Sequence, residues 1–216
     1  MNSDSQRYPI PTAMLRTQIE VKRSRFIATA AYTPDVEQSS LFIAQIKEEF
    51  SDANHNCWAR VLGPPGSTDL AGMSDDGEPQ GAAGKPMLTA LLHADIGDTT
   101  VVVSRYFGGA KLGKGGMARA YTEALLHVLE RIPLQEKISY TQLHIDMEYM
   151  HLDMVERILP EYEALVDARD FGVRINLQIR VPTEHRPELI RHLTELSNGS
   201  IQIISTQQKK SDRVQT

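Results

Sequence analysis

Between Arg105 and Tyr121 the sequence gathers the residue types that hold anions. It reads Arg105-Tyr106-Phe107-Gly108-Gly109-Ala110-Lys111-Leu112-Gly113-Lys114-Gly115-Gly116-Met117-Ala118-Arg119-Ala120-Tyr121. Glycine lets a backbone take positive φ and approach a ligand closely. The free N–H groups at a helix start, with the helix dipole, favour negative charge. Lys111 and Lys114 add cations beside Gly108, Gly109, Gly113, Gly115 and Gly116. The chemistry expected of this set is phosphate binding, to RNA or to another phosphorylated ligand. Three other readings compete. Gly108 to Lys114 fits G-x-x-x-x-G-K, the front of a nucleotide P-loop, but Gly115 stands where a magnesium-holding hydroxyl belongs. Gly113 to Ala118 fits G-x-G-x-x-A, yet the acid near the required distance, Glu130, falls inside the same helical pattern. The third is structural: a tight turn that brings a helix close onto a sheet.

Other residues invite chemistry. His55 and Cys57 fall on one face of a strand, two positions apart. A catalytic pair needs an orienting third group, and zinc needs three or four ligands, which a single cysteine does not suggest. These two are expected to line a cleft. Asp75, Asp76 and Glu78 cluster in a loop without the spacing of a calcium loop. They are read as an exposed turn, or as acids that pair with Lys111 and Lys114 and close over the site. A second glycine-rich helix start carries Lys85. Arg23, Arg25, Arg105 and Arg119 complete a candidate basic patch. Tyr106 and Phe107 beside it are read as base-stacking residues or as core. No catalytic residue, metal or cofactor is assigned.

The elements that must position these groups follow from periodicity. Residues 1–10 are polar and expected to be loose. Ala13–Val21 and Phe26–Tyr32 predict strands joined by Lys22-Arg23-Ser24-Arg25. A helix to Phe50 is expected, capped by Thr33 or Asp35, with Leu41, Ile43, Ile46 and Phe50 inward. Asn54–Leu62 predicts a strand, 63–81 a long functional or mobile loop, and a helix follows with Met87, Leu88, Leu91 and Leu92 inward. Valines and threonines from Thr99 predict a strand. Apolar residues at 117, 121, 124, 125, 128, 129 and 132 predict a helix from Met117, stopped at Pro133. Residues 134–137 read as a linker. The remainder predicts β-α-β-β-α-β, the split βαβ or ferredoxin-like order. His144, His151, His185 and His192 there are scattered and read as surface or helix-face residues. The expected domains are 1–134 and 135–206, with a disordered tail over 207–216.

Composition bounds the rest. The chain has 216 residues, a net charge of −5, 24% charged residues and one cysteine. The charge argues against nonspecific coating of nucleic acid while allowing a local basic patch. A lone cysteine makes no internal disulfide and fits a reducing cytoplasm. No apolar run approaches a membrane span, and the first residues lack an apolar leader segment, so the expected location is cytoplasmic, without membrane contact.

Lys22-Arg23-Ser24-Arg25-Phe26, His55-Asn56-Cys57-Trp58-Ala59, Ser74-Asp75-Asp76-Gly77-Glu78-Pro79 and Arg105-Tyr106-Phe107-Gly108-Gly109 through Gly116 together resemble the YigZ/IMPACT family. The resemblance covers about the first 130 residues by motif, and the rest looks like the extra domain of bacterial members. It implies an α+β fold of two domains. The first would be like the second domain of a small-subunit ribosomal protein and the fourth domain of elongation factor G. The second would be ferredoxin-like, similar to that factor's fifth domain. Eukaryotic members of the family are translational regulators that counter activation of the amino-acid-starvation kinase by protein contact. The expectation is therefore a translation-associated regulatory or binding protein whose partner is RNA, the ribosome or a translation factor. The competing class is an enzyme acting on a small phosphorylated substrate in the glycine loop, with Asp75, Asp76 or His55 as acid–base or metal groups.

Overall fold

In a computed structural model, residues 7–205 and 213–214 are described. In chain order the elements are β1 (Arg7–Pro11), β2 (Leu15–Val21), β3 (Ser24–Tyr32), α1 (Val36–Glu49), β4 (His55–Val61) and β5 (Gly72–Ser74). Then come α2 (Gly84–Leu92), β6 (Thr99–Tyr106), α3 (Gly113–Leu129), β7 (Leu134–Ile138) and β8 (Tyr140–Met147). The last are α4 (Leu152–Ile158), β9 (Leu165–Phe171), β10 (Ile175–Pro182), α5 (Arg186–Leu196), β11 (Gln202–Ser205) and β12 (Arg213–Val214). The chain divides into two compact units, one of Tyr8–Glu136 and the other holding the chain from Lys137 onward together with Arg7. This is a mixed α/β architecture.

The larger unit is built on an antiparallel sheet ordered β2-β3-β6-β4-β5. β6 lies at its centre and is covered on both faces, which explains its continuous apolar run. Alternate residues face opposite ways. Val101 and Val103 join Phe26, Cys57, Ala59, Met87, Leu91, Tyr121 and Leu125 in the core under α2 and α3. Val102 meets Phe42, Ile43 and Ile46 of α1 on the other face. There the Thr100 hydroxyl also ties β6 to α1 through Ser39 at 2.8 Å and to the segment before α1 through Thr33 at 2.7 Å. The stripe at 117, 121, 124, 125, 128, 129 and 132 is buried throughout.

Several expectations are corrected. Arg7–Pro11 is a strand with Tyr8 and Ile10 buried, so 7–10 are ordered, while residues 1–6 lie outside the described residues. The β2–β3 turn is only Lys22-Arg23, both at positive φ (49° and 65°), and Ser24 and Arg25 already belong to β3. A two-residue turn of this hand matches the twist of the paired strands. In α1, Phe42 rather than Leu41 completes the inward stripe; Leu41 is 64% exposed. Residues 72–74 of the long loop form β5 against β4. The expected linker at 134–137 is the strand β7. The helix read from Met117 begins four residues earlier, so Gly113–Gly116 are its first turn and not loop.

In the smaller unit the order β8-α4-β9-β10-α5-β11 closes an antiparallel sheet ordered β11-β8-β10-β9. Leu143, Ile145, Met147, Leu177, Ile179 and Val181 pack beneath Val155, Ile158, Leu189 and Leu193. The expected disordered tail falls mostly outside the described residues; Arg213–Val214 pair with Ile138 and Lys137. No helix among the described residues is long and apolar enough to cross a membrane.

Candidate functional site

Three loops of the larger unit meet around β6 and the start of α3. The sequence holds them there by two close backbone approaches. A Cβ on Gly108 would lie 2.0 Å from the Arg23 carbonyl carbon and 2.3 Å from the Ser24 nitrogen. The Gly108 N–H also donates to the Ser24 hydroxyl at 3.1 Å. Gly84 sits similarly against the Ser74 backbone, at 2.8 Å for an added Cβ. Gly108 and Gly84 therefore serve packing. Gly109 and Gly113 have positive φ (85° and 73°) with open space around them, and Gly115 is also open.

The three loop acids are engaged internally. Asp75 accepts N–H bonds from Gly81 (2.8 Å), Ala83 (3.0 Å) and Gly84 (2.8 Å), filling the start of α2. Burial opposes its ionisation. The backbone donors and the charge of Lys114 outweigh this and hold its carboxyl below the usual carboxylate range. Asp76 bonds the Lys47 ammonium and accepts the Asn56 N–H at 2.7 Å. Its carboxyl is also lowered: burial works against the shift, and Lys47 and the Asn56 N–H reverse it. Glu78 accepts from the Arg105 guanidinium and, at 2.8 Å, from the Tyr121 hydroxyl. The acids are thus hydrogen-bonded within the chain, and of the glycine-loop lysines Lys114 acts on Asp75 through its charge.

The α2 start is already occupied by Asp75, so it does not join α3 in a two-helix anion site, and Lys85 remains exposed on α2. The α3 start is different. Its capping residue, Leu112, makes no side-chain cap bond. Lys111 and Lys114 are exposed there.

One of the basic residues, Arg105, is not on the surface. Arg105 is only 6% exposed, because it shares the inward face of β6 with Val101 and Val103. The period-two alternation from those valines is the signal that places it. Arg25 stacks over Tyr106, 4.6 Å from its ring centroid, and the Tyr106 hydroxyl donates to Asp52 at 2.6 Å. Arg23 and Arg119 are exposed, Arg23 in the hairpin turn and Arg119 on α3.

A cavity of about 380 Å³ opens beside the α3 start, with His55, Glu78, Arg105, Phe107 and Lys111 on its wall. Cys57, Asp75 and Asp76 are not on it. Cys57 is fully buried and donates to the Asp75 carbonyl at 3.0 Å. Burial, reinforced by Glu78, Asp76 and Asp75 against a hydrogen bond with Tyr121, pushes its thiol up to about 12. A thiolate nucleophile is therefore unavailable at neutral pH. His55 Nδ1 contacts the Asp76 carbonyl at 2.8 Å. A carbonyl only accepts, so Nδ1 carries the proton and Nε2 is the acceptor in the neutral ring. His55 and Cys57 each bond a carbonyl, not one another. Phe107, Leu112, Pro79 and Met117 supply apolar wall, a grouping that no spacing in the sequence signals.

Residues 22–129 match the Impact N-terminal domain, and 145–200 match a domain of unknown function, DUF1949. The chain belongs to the IMPACT family. It is 35% identical over 199 residues to the IMPACT family member YigZ of Escherichia coli, covering 92% of this chain and 98% of that one. It is 34% identical to the IMPACT family member YvyE of Bacillus subtilis, covering 86% and 85%. Protein IMPACT of Xenopus laevis is 34% identical over 116 residues, 52% of this chain and 36% of that protein. The crystal structure of a hypothetical protein at 34% identity superposes with a TM-score of 0.65, covering 94% and 99%.

Asp75 supplies a test of the loop assignment. Asp75→Asn is expected to lower stability at pH 7 by about 0.5–2 kcal/mol, the range for lost helix caps. The native carboxyl titrates below its unfolded value. Its stabilisation is thus present above about pH 4 and is lost as pH falls through the lowered native value. Urea unfolding followed by circular dichroism from pH 7 to pH 2.5 should show a smaller loss with acid in the variant. Parallel curves for both proteins would remove Asp75 from this role.

Proposed function

We propose that this chain is a translation-associated regulatory or binding protein of the cytoplasm that contacts RNA, on or off the ribosome, through the start of α3. The observation that carries this reading is the contrast between two helix starts. At α2 a carboxylate of the chain itself takes the backbone donors. At α3 the capping side chain makes no bond, and two exposed lysines stand at its start, Lys111 just before it and Lys114 within its first turn. Backbone donors, dipole and cations then act on one external anion. Membership of the IMPACT family supports the connection to translation. The split βαβ element order with strand order β11-β8-β10-β9 supports reading the smaller unit as ferredoxin-like. The larger unit is read as the ribosomal-protein and elongation-factor type, with residues 1–134 and 135–206 as the two domains.

The test is RNA affinity against salt. Each lost phosphate contact reduces the log–log salt slope by about 1. Lys111→Glu with Lys114→Glu is expected to weaken binding by tenfold or more and to flatten the slope by about 2. Both side chains are exposed, so thermal stability should hold. Unchanged affinity and slope in a stable double variant would leave α3's first turn as scaffold. A tightly bound RNA that ignores salt would equally count against the phosphate reading.

A further inference from the structure

The cavity beside α3 has the makings of a slot for a flat, polar-edged group. Phe107 is 50% exposed, and its backbone N–H is fixed by the Asn54 side chain at 2.7 Å. Its main chain is thereby tied to the segment before β4. Each ring carries an arginine on one face, Arg25 over Tyr106 at 4.6 Å and Arg105 over Phe107 at 5.7 Å from the centroid, and Phe107 is the one on the cavity wall. Leu112, Pro79 and Met117 add further apolar wall. Arg105 is more than nine-tenths buried in this wall, yet its Nε–H has no hydrogen-bond partner. Its Nη1 is committed to Glu78. A buried donor without an acceptor carries a desolvation cost, and an acceptor brought to this wall offsets it. His55 offers the complementary edge, an Nε2 acceptor fixed by the bond from Nδ1 to Asp76. Lys111 and Gly113 form the rim, at the helix start that attracts phosphate.

An apolar face, a donor and an acceptor at depth, and a cationic rim match one nucleotide. A base inside a duplex has its faces covered, so only an unstacked one enters. The volume of about 380 Å³ suits one such unit and not a helix. We propose that this cavity receives a single unstacked nucleotide of a single-stranded RNA, its base against Phe107 and its phosphate at Lys111. The proposal rests on the RNA reading of the α3 start and names the part of the RNA that the site takes.

The experiment compares octa-adenylate RNA with inorganic polyphosphate of matched charge, using the full chain. Phe107→Ala should weaken octa-adenylate binding about tenfold or more, as for stacking platforms, and leave polyphosphate within about twofold. Phe107→Trp should restore it. Thermal melting checks each variant. If Phe107→Ala melts early, Phe107→Leu, which keeps bulk and lacks the ring, replaces it. Octa-adenylate affinity unchanged in the folded ring-less variant overturns the slot. If Lys111→Glu with Lys114→Glu still weakens both ligands, the α3 phosphate site survives that result. Wild-type protein that binds neither ligand removes both readings together. Adenosine monophosphate binding as tightly as octa-adenylate would overturn the single-stranded RNA assignment.

Discussion

Glu78→Ala is expected to lower the unfolding free energy by about 3–5 kcal/mol, the range for breaking a buried ion pair from one side. The side chains of Glu78 and Arg105 are only 3% and 7% exposed. Removing the carboxylate leaves a guanidinium in the core with its Nη1 partner gone and takes the acceptor from the Tyr121 hydroxyl. Tyr121 is itself fully buried and packs edge-on to Phe26, with ring centroids 5.1 Å apart. The damage therefore reaches the core between α3 and β3. Glu78→Ala combined with Arg105→Met should recover much of the loss, because neither charge then remains buried. Chemical denaturation of the three proteins measures this. A single variant within 1 kcal/mol of wild type, roughly the surface-pair range, would mean that water reaches the pair.

Gly108→Ala should cost about 3 kcal/mol or more. The added carbon would overlap Arg23 and Ser24 main-chain atoms at 2.0–2.3 Å, and no side-chain rotation relieves a backbone clash. Neighbouring glycines separate this cause from others. Gly109 has open space but φ of 85°, so Gly109→Ala should cost only about 1–2 kcal/mol, from the left-handed backbone. Gly115 has open space, no positive φ and a place in α3, so Gly115→Ala should stabilise by up to about 1 kcal/mol. Three melting temperatures give the order. Equal losses at all three positions would show that the glycines act as one flexible loop.

Those glycines also show what the sequence could and could not convey. The helical stripe from Met117 was readable because burial repeats every 3.6 residues. The helix start was not: four residues of Gly-Lys-Gly-Gly carry weak helical preference, and packing decides their conformation. Arg105 reads as a surface cation by residue type. Its alternation with Val101 and Val103 points inward, but the partner that makes such burial tolerable, Glu78, lies in a loop whose path has no periodic signal. The same holds for Asp75, whose backbone partners at 81, 83 and 84 look on paper like a second anion site awaiting a ligand. Residues 134–137 lacked turn residues as well as clear alternation, and pairing with other strands settles them as β7.

The strand order of the larger sheet has a consequence for how the protein is born. β3 hydrogen-bonds to β2, its neighbour in the chain, and on its other side to β6, whose first residue, Thr99, follows Tyr32 by 67 positions. At the usual pace of synthesis that interval takes roughly 3–13 s. Until β6 emerges, Phe26, Ala28 and Ala30 have no central strand beside them and no α3 above them. The β2–β3 hairpin must wait with its β3 edge open. Its Lys22-Arg23 turn and the charged Arg16 and Glu20 on the chain give that waiting hairpin solubility.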